Sequence, residues 1–312
     1  MKLASLAVAA AALFCAATSA MADSYPSKPI NMIVGYGAGG SVDIQARGLA
    51  EQLSKILGQP VNILNQPGAG AAVAATQLSK AAPDGYTIMF DNSSTLTFTP
   101  LVTPVDFKPA DFKVIASVAQ SQPAFVVHGP SPIKSFDDVI AMAKDKGSVS
   151  YVTQSQVDRL IMTALAKQKG INVRIVPTKG GGEMQGLVLG DQVDFAYSGG
   201  LHINFLDSGQ MRVIASLNSQ PLVATPDAPT LSKLGLDYGI DNYRIVMTPA
   251  GVSDEVAAKL QEAVLKAANT PEFNDLTTKK LQFPIVILKA DELAPRLVEA
   301  EAKSRSLVEQ AK

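Results

Sequence analysis

The residues best placed to do chemistry in this sequence are glycines. Gly35-Tyr36-Gly37-Ala38-Gly39-Gly40 stands where an apolar run, Ile30 to Gly35, gives way to helical spacing. Without Cβ atoms, such a loop lets backbone N–H groups crowd round a ligand. Ser41 and the helix behind it add free N–H groups and a partial positive charge, a combination that suits a carboxylate, phosphate or sulfonate. The other reading of these glycines is a tight turn that lets helix and strand pack closely. Asp43, in the first helical turn, fits a capping role and opposes a bound anion. The loop satisfies G-x-G-x-x-G, but the next strand ends Leu64-Asn65-Gln66, with no acid to hold a ribose. A dinucleotide site is therefore excluded.

Further polar loops follow other strands. Asp91-Asn92-Ser93-Ser94-Thr95 clusters hydroxyls and an amide at a strand's carboxyl end, outside which ligands sit in open α/β sheets. Thr153-Gln154-Ser155-Gln156 and Thr178-Lys179-Gly180-Gly181-Gly182 occupy equivalent places in the second half, and Tyr197 ends another strand. The glycine triplet is a candidate second cradle. Lys179 reads either as a counter-charge or as a solvated lysine. His128 and His202 have no partner at metal-ligand spacing, and no G-x-S-x-G elbow occurs. No catalytic residue, metal site or cofactor is expected.

The elements that must position these loops alternate. Strands are expected at Ile30–Gly35, Val61–Leu64 and Tyr86–Phe90, with helices between them. Ala46, Leu49, Ala50, Leu53, Ile56 and Leu57 recur at helical spacing until Gly58. A second series has strands near residues 124–127, 148–152, 173–176, 193–197 and 211–217, and a return strand at 243–247. Asp254–Ala268 and Asp291–Gln310 are amphipathic helices. The pattern predicts an α/β protein of two lobes, each a mainly parallel sheet flanked by helices. The boundaries fall near residues 122 and 240, giving lobe 1 as 23–122 plus 240–312 and lobe 2 as 123–239. Two crossings make a hinge, with the ligand cleft between the lobes.

The first 22 residues read as an export signal: Lys2, an apolar run from Leu3 to Ala17, then Ala20-Met21-Ala22 at the cleavage site. Cleavage near Ala22 removes Cys15, the only cysteine, so the exported chain has no disulfide and no thiol chemistry. That suits a bacterial periplasm. No later stretch is apolar enough to span a membrane. A net charge of −1 argues against a nucleic-acid partner.

Several segments together resemble the extracytoplasmic solute receptors of tripartite tricarboxylate transporters, also called the Bug receptor family. They are Tyr25-Pro-Ser-Lys-Pro-Ile30, the glycine loop through Asp43, Asn65-Gln-Pro-Gly-Ala-Gly70, Ala81-Ala-Pro-Asp-Gly-Tyr86, Val176-Pro-Thr-Lys-Gly-Gly181, Leu189-Gly-Asp-Gln-Val-Asp194 and Ala228-Pro-Thr-Leu231. The resemblance implies a type II-like, two-lobed periplasmic binding protein, monomeric, that closes on a small organic anion. It would deliver that anion to the large and small membrane subunits of the transporter. Family receptors hold a carboxylate largely with backbone amides and bridging waters, not an arginine clamp, which suits candidate loops that contain little positive charge. By that pattern the pocket draws on Tyr36, Ala38, Gly39 and Ser41, then Ser93, Ser94 and Thr95. The opposite lobe adds Thr153 to Gln156, Thr178, Lys179 and Gly180. Gly40, Asp43, Asn92 and Tyr197 complete the candidate set. Thr153–Gln156 stands where the family is Ser/Gly-rich, and Thr178 where it tends to have Tyr. Side-chain amides are therefore expected to meet the ligand. A receptor serving a sensor kinase, or another transporter class, fits the same residues.

Overall fold

A computed structural model describes residues 25–311; the expected export signal, with Cys15, lies outside the described residues. The first strands are β1 (Ile30–Val34), β2 (Val61–Asn65) and β3 (Thr87–Asn92), joined by α1 (Ser41–Leu57) and α2 (Ala72–Ser79). β1 lies parallel to both β2 and β3. Its Ile30, Met32, Ile33 and Val34 are buried on both faces, as suits the middle of a covered parallel sheet. Helix α1 presents Val42, Ala46, Leu49, Ala50 and Leu53 to that core. It ends as its spacing predicts, at Gly58 in the left-handed region (φ 66°), whose N–H bonds to Ser54 O.

Two short helices, α3 (Ser94–Thr97) and α4 (Thr99–Val102), lead to β4 (Phe112–Gln120), which runs straight on into β5 (Ala124–His128). Here the chain passes from the first sheet to the second. The second sheet adds β6 (Val149–Thr153), β7 (Val173–Pro177), β8 (Phe195–Ser198) and β9 (Met211–Ser216), with α5 (Phe136–Lys146), α6 (Gln156–Lys169) and α7 (Gly181–Leu189) between. The return is β10 (Tyr243–Pro249), followed by α8 (Asp254–Ala268), α9 (Pro271–Asp275), β11 (Ile285–Lys289) and α10 (Ala290–Ala311). Strand order is β11-β4-β10-β3-β1-β2 in one sheet and β7-β6-β8-β5-β9 in the other.

The expectation of mainly parallel sheets needs correcting, because both are mixed. β10 pairs antiparallel with β3 and β4, β11 with β4, and β5 with β8 and β9. The physical reason is the hinge: strands that carry the chain between sheets enter each one against the direction of its βαβ strands. Two of the antiparallel strands, β4 and β11, have no counterpart among the expected elements.

Helix α10 makes a third link. Leu293 near its start is buried in the first core, whereas Leu307 near its end is buried among second-lobe residues, with Val308 and Ala311 packed alongside. The tail therefore straps one lobe to the other. Replacing Leu307 with alanine should cost about 2–5 kcal/mol in urea unfolding, as for any fully buried leucine. A loss under about 0.5 kcal/mol would mean the helix end is not part of the core.

Candidate functional site

Both glycine runs lie at the junction between the lobes and face each other. A Cβ placed on Gly180 would sit 3.5 Å from Gly37 N, and one placed on Gly40 would sit 3.6 Å from Gly181 N. A methyl group would fit at either position in ordinary contact, and a longer side chain would meet the opposite backbone. Gly35 is more tightly held. A Cβ there would fall 2.3 Å from Ala71 Cβ and 2.5 Å from Asp91 Oδ2, and its N–H donates to that carboxylate at 2.8 Å. Gly39 has open space around it and is glycine for its backbone conformation (φ 80°).

Part of the loop's positive character is neutralised from within. Gly39 N–H donates to Asp43 Oδ2 at 2.9 Å, and Arg47 and Asn65 donate to the same carboxylate. Burial pushes the Asp43 carboxyl up, but these hydrogen bonds prevail and hold it below its ordinary value. Asp43 thus organises the loop.

The inner cavity carries one charged side chain, and it is not among the candidate residues. Arg244 lines it with Tyr36, Ser41, Asn92, Gln154 and Tyr197. Register explains the placement: Arg244 on β10 stands opposite Asn92 on antiparallel β3, which puts both side chains on one face. One terminal nitrogen of the guanidinium donates to Asn92 Oδ1, and the other to Ser41 Oγ at 3.0 Å. The group also lies over the Phe283 ring, 5.3 Å from its centroid. Nε–H has no protein acceptor. Among the described residues no carboxylate forms an ion pair with Arg244, which is 1% exposed. Ser41 Oγ in turn donates to Gly199 O of the second lobe at 3.0 Å.

The candidate residues distribute unevenly. Tyr36, Gly40, Ser41, Asn92, Gln154, Ser155 and Tyr197 come together round the inner cavity, with Ser121, Gly181 and Gly199 added by the fold. Past Tyr36 and Gln154 lies an outer recess of about 460 Å³, walled by Pro67–Gly70, Thr178 and Lys179. Gln156 and Thr153 border a neighbouring groove with Arg159. Ala38 and Gly39 are exposed on the rim, and Gly180 closes against Gly37. Ser93, Ser94 and Thr95 turn elsewhere. Ser93 Oγ accepts from Tyr243 N–H, Ser94 N–H donates to Asn242 Oδ1, and Thr95 Oγ1 donates to Asp91. They secure the hinge. Gln154 spends an amide N–H on Tyr197 O (2.8 Å), and Ser155 caps α6 with Asp158. His128 and His202 do not meet. His202 is buried and neutral, its pKa pushed down to about 3 by burial.

Arg244 had a legible signal: it is the single charge in the run Tyr-Arg-Ile-Val-Met, otherwise a buried-strand pattern. What the sequence could not supply was its register against Asn92.

Comparisons with known proteins agree with this architecture. The profile of the tripartite tricarboxylate transporter family receptor matches residues 45–312. A UPF0065 protein in the gbd 5' region of Cupriavidus necator is 31% identical over 312 residues, covering 98% of this chain and 95% of that protein. The solved structure of the periplasmic binding protein BugD superposes with a TM-score of 0.84 at 25% identity, covering 92% of this chain and 98% of that one. MatC from Rhodopseudomonas palustris with bound malate gives a TM-score of 0.81 at 22% identity, over 91% and 100% of the two chains, a likeness of fold.

Two buried carboxyls beside the cleft predict a pH response. Burial pushes Asp91 and Asp158 up to about 6, against about 3.9 in an unfolded chain. The folded protein keeps these protons where the unfolded chain has released them. Their contribution to stability is therefore full below about pH 4 and is lost as pH rises through about 6. Urea unfolding of Asp158→Asn across that window should show a shallower decline than the parent. Parallel curves would contradict the shift.

Proposed function

The chain belongs to the tripartite tricarboxylate transporter receptor family, and we propose that it is an exported receptor that takes a small organic anion, a carboxylate by preference, between lobes 23–122 plus 240–312 and 123–239. It hands that anion to the membrane subunits of such a transporter. The observation that carries the sign of the ligand is Arg244, among the described residues the only charged one lining the inner cavity. A buried cation without a carboxylate in direct contact is costly, and an anionic ligand on the guanidinium adds the close pairing that Asp91, beyond ion-pair distance, does not give. Tyr36 and Tyr197 assist as neutral O–H donors, since burial, chiefly, raises both phenols above their ordinary range.

Family membership supports export to the periplasm, and no helix among the described residues is long and apolar enough to cross a membrane. The malate in the MatC structure belongs to that protein. It makes small dicarboxylates the first compounds to try here. The outer recess beside Thr178 and Lys179 leaves room for a second polar end.

Thermal melting of residues 23–312 with malate, adipate, citrate, sulfonates, phosphate and neutral amides tests the reading. A carboxylate at about 100 times its Kd should add about 2.7 kcal/mol, or several degrees. Stabilisation by neutral compounds alone would overturn the anion assignment.

A further inference from the structure

We propose that Arg244 makes lobe closure conditional on a negative charge, acting through Ser41 on Gly199. The inference rests on the receptor reading and assigns a role that none of the glycine loops can fill. An arginine offers five N–H donors. Arg244 commits one from each terminal nitrogen, both to neutral acceptors, and leaves Nε–H without a protein partner. Its surroundings come from both lobes: Ser41 and Asn92 from one, Gln154, Tyr197 and Gly199 from the other. Bringing the second lobe down therefore strips water from a cation whose nearest carboxylate, Asp91, attracts it from beyond ion-pair distance and already accepts from Gly35, Asn92 and Thr95. Without an anion, that desolvation opposes closure. With an anion on the guanidinium, the same burial strengthens the ion pair, so the ligand favours the closed state over the open one.

Ser41 is the mechanical half of the device. A hydroxyl has one proton. Arg244 occupies a lone pair of Ser41 Oγ from behind, which directs that proton outward to Gly199 O. A fixed guanidinium thus presents a ready-aimed donor to the opposite lobe. Arg244 also sits at the second residue of β10, the strand on which the chain returns to the first sheet.

The test is calorimetric titration of malate, adipate and citrate, each beside its fully amidated neutral counterpart, into the parent, Arg244→Gln, Arg244→Lys and Ser41→Ala, with small-angle scattering before and after ligand. The parent should prefer acid over amide and contract on binding. Arg244→Gln should weaken the acid about 100-fold or more while leaving the amide little changed, so selectivity for charge disappears. Arg244→Lys should fall between, since an ammonium supplies charge without the guanidinium fork. Ser41→Ala should bind the acid more weakly and contract less. A merely structural arginine would weaken acid and amide alike, and that result overturns the proposal. So does full acid affinity in Arg244→Gln, which leaves the receptor reading standing. A parent that answers to none of the acids overturns both. If Arg244→Gln fails to fold, the Lys and Ser41 variants carry the same comparison.

Discussion

A guanidinium held out of water needs either a negative charge or enough neutral acceptors, and the chain gives Arg244 neither in full. Asn92 and Ser41 satisfy one N–H each, and Phe283 covers a face. The remaining requirement gives the cleft its chemistry. The glycine loop alone does not, because Asp43 already answers its Gly39 amide. Preorganised backbone donors and one unanswered cation divide the work: the loop shapes the wall, and the arginine sets the sign of what fits.

That arrangement depends on a hinge built from strands. β4 runs into β5, and β10 brings the chain back, so the two crossings lie side by side in one sheet. Asn92 at the end of β3 and Arg244 at the start of β10 are neighbours because these strands pair antiparallel. The hydroxyls that look most like ligand contacts, Ser93 and Thr95, instead fasten this junction. Helix α10 adds a third tether, from Leu293 in one core to Leu307 in the other.

Local pattern made much of this legible. The helical spacing of Ala46 to Leu57 and the stop at Gly58 are short-range properties, and they appear in the structure as α1. The βαβ alternation gave the lobes and placed Tyr36, Ser41 and Gln154 at one cavity. Tertiary pairing accounts for the rest. The run Phe112–Gln120 has no turn separating it from the next strand, so it does not announce itself as a second sheet's neighbour. Ile285–Lys289 abuts a helix without a break. The directions of β5 and β10, both expected as strands, depend on which neighbours they pair with, and the pairing of β10 with β3 decides the face on which Arg244 meets Asn92. A polar side chain after a strand can face a cleft or fasten a hinge, and only the register of β10 separates Asn92 from Ser93.

Closure on an anion is the central claim, and a distance measured across the cleft tests it most directly. Cys15 is the only cysteine in the sequence and precedes the expected cleavage site, so spin labels can be placed without competition. Exposed Gln77 on α2 and Lys167 on α6 lie on opposite lobes. Pulsed electron spin resonance on a Gln77→Cys/Lys167→Cys protein should show a broad distance distribution that collapses to a shorter, narrow one with a bound dicarboxylate. It should stay broad with the neutral diamide. Identical distributions with acid, amide and neither would contradict the account.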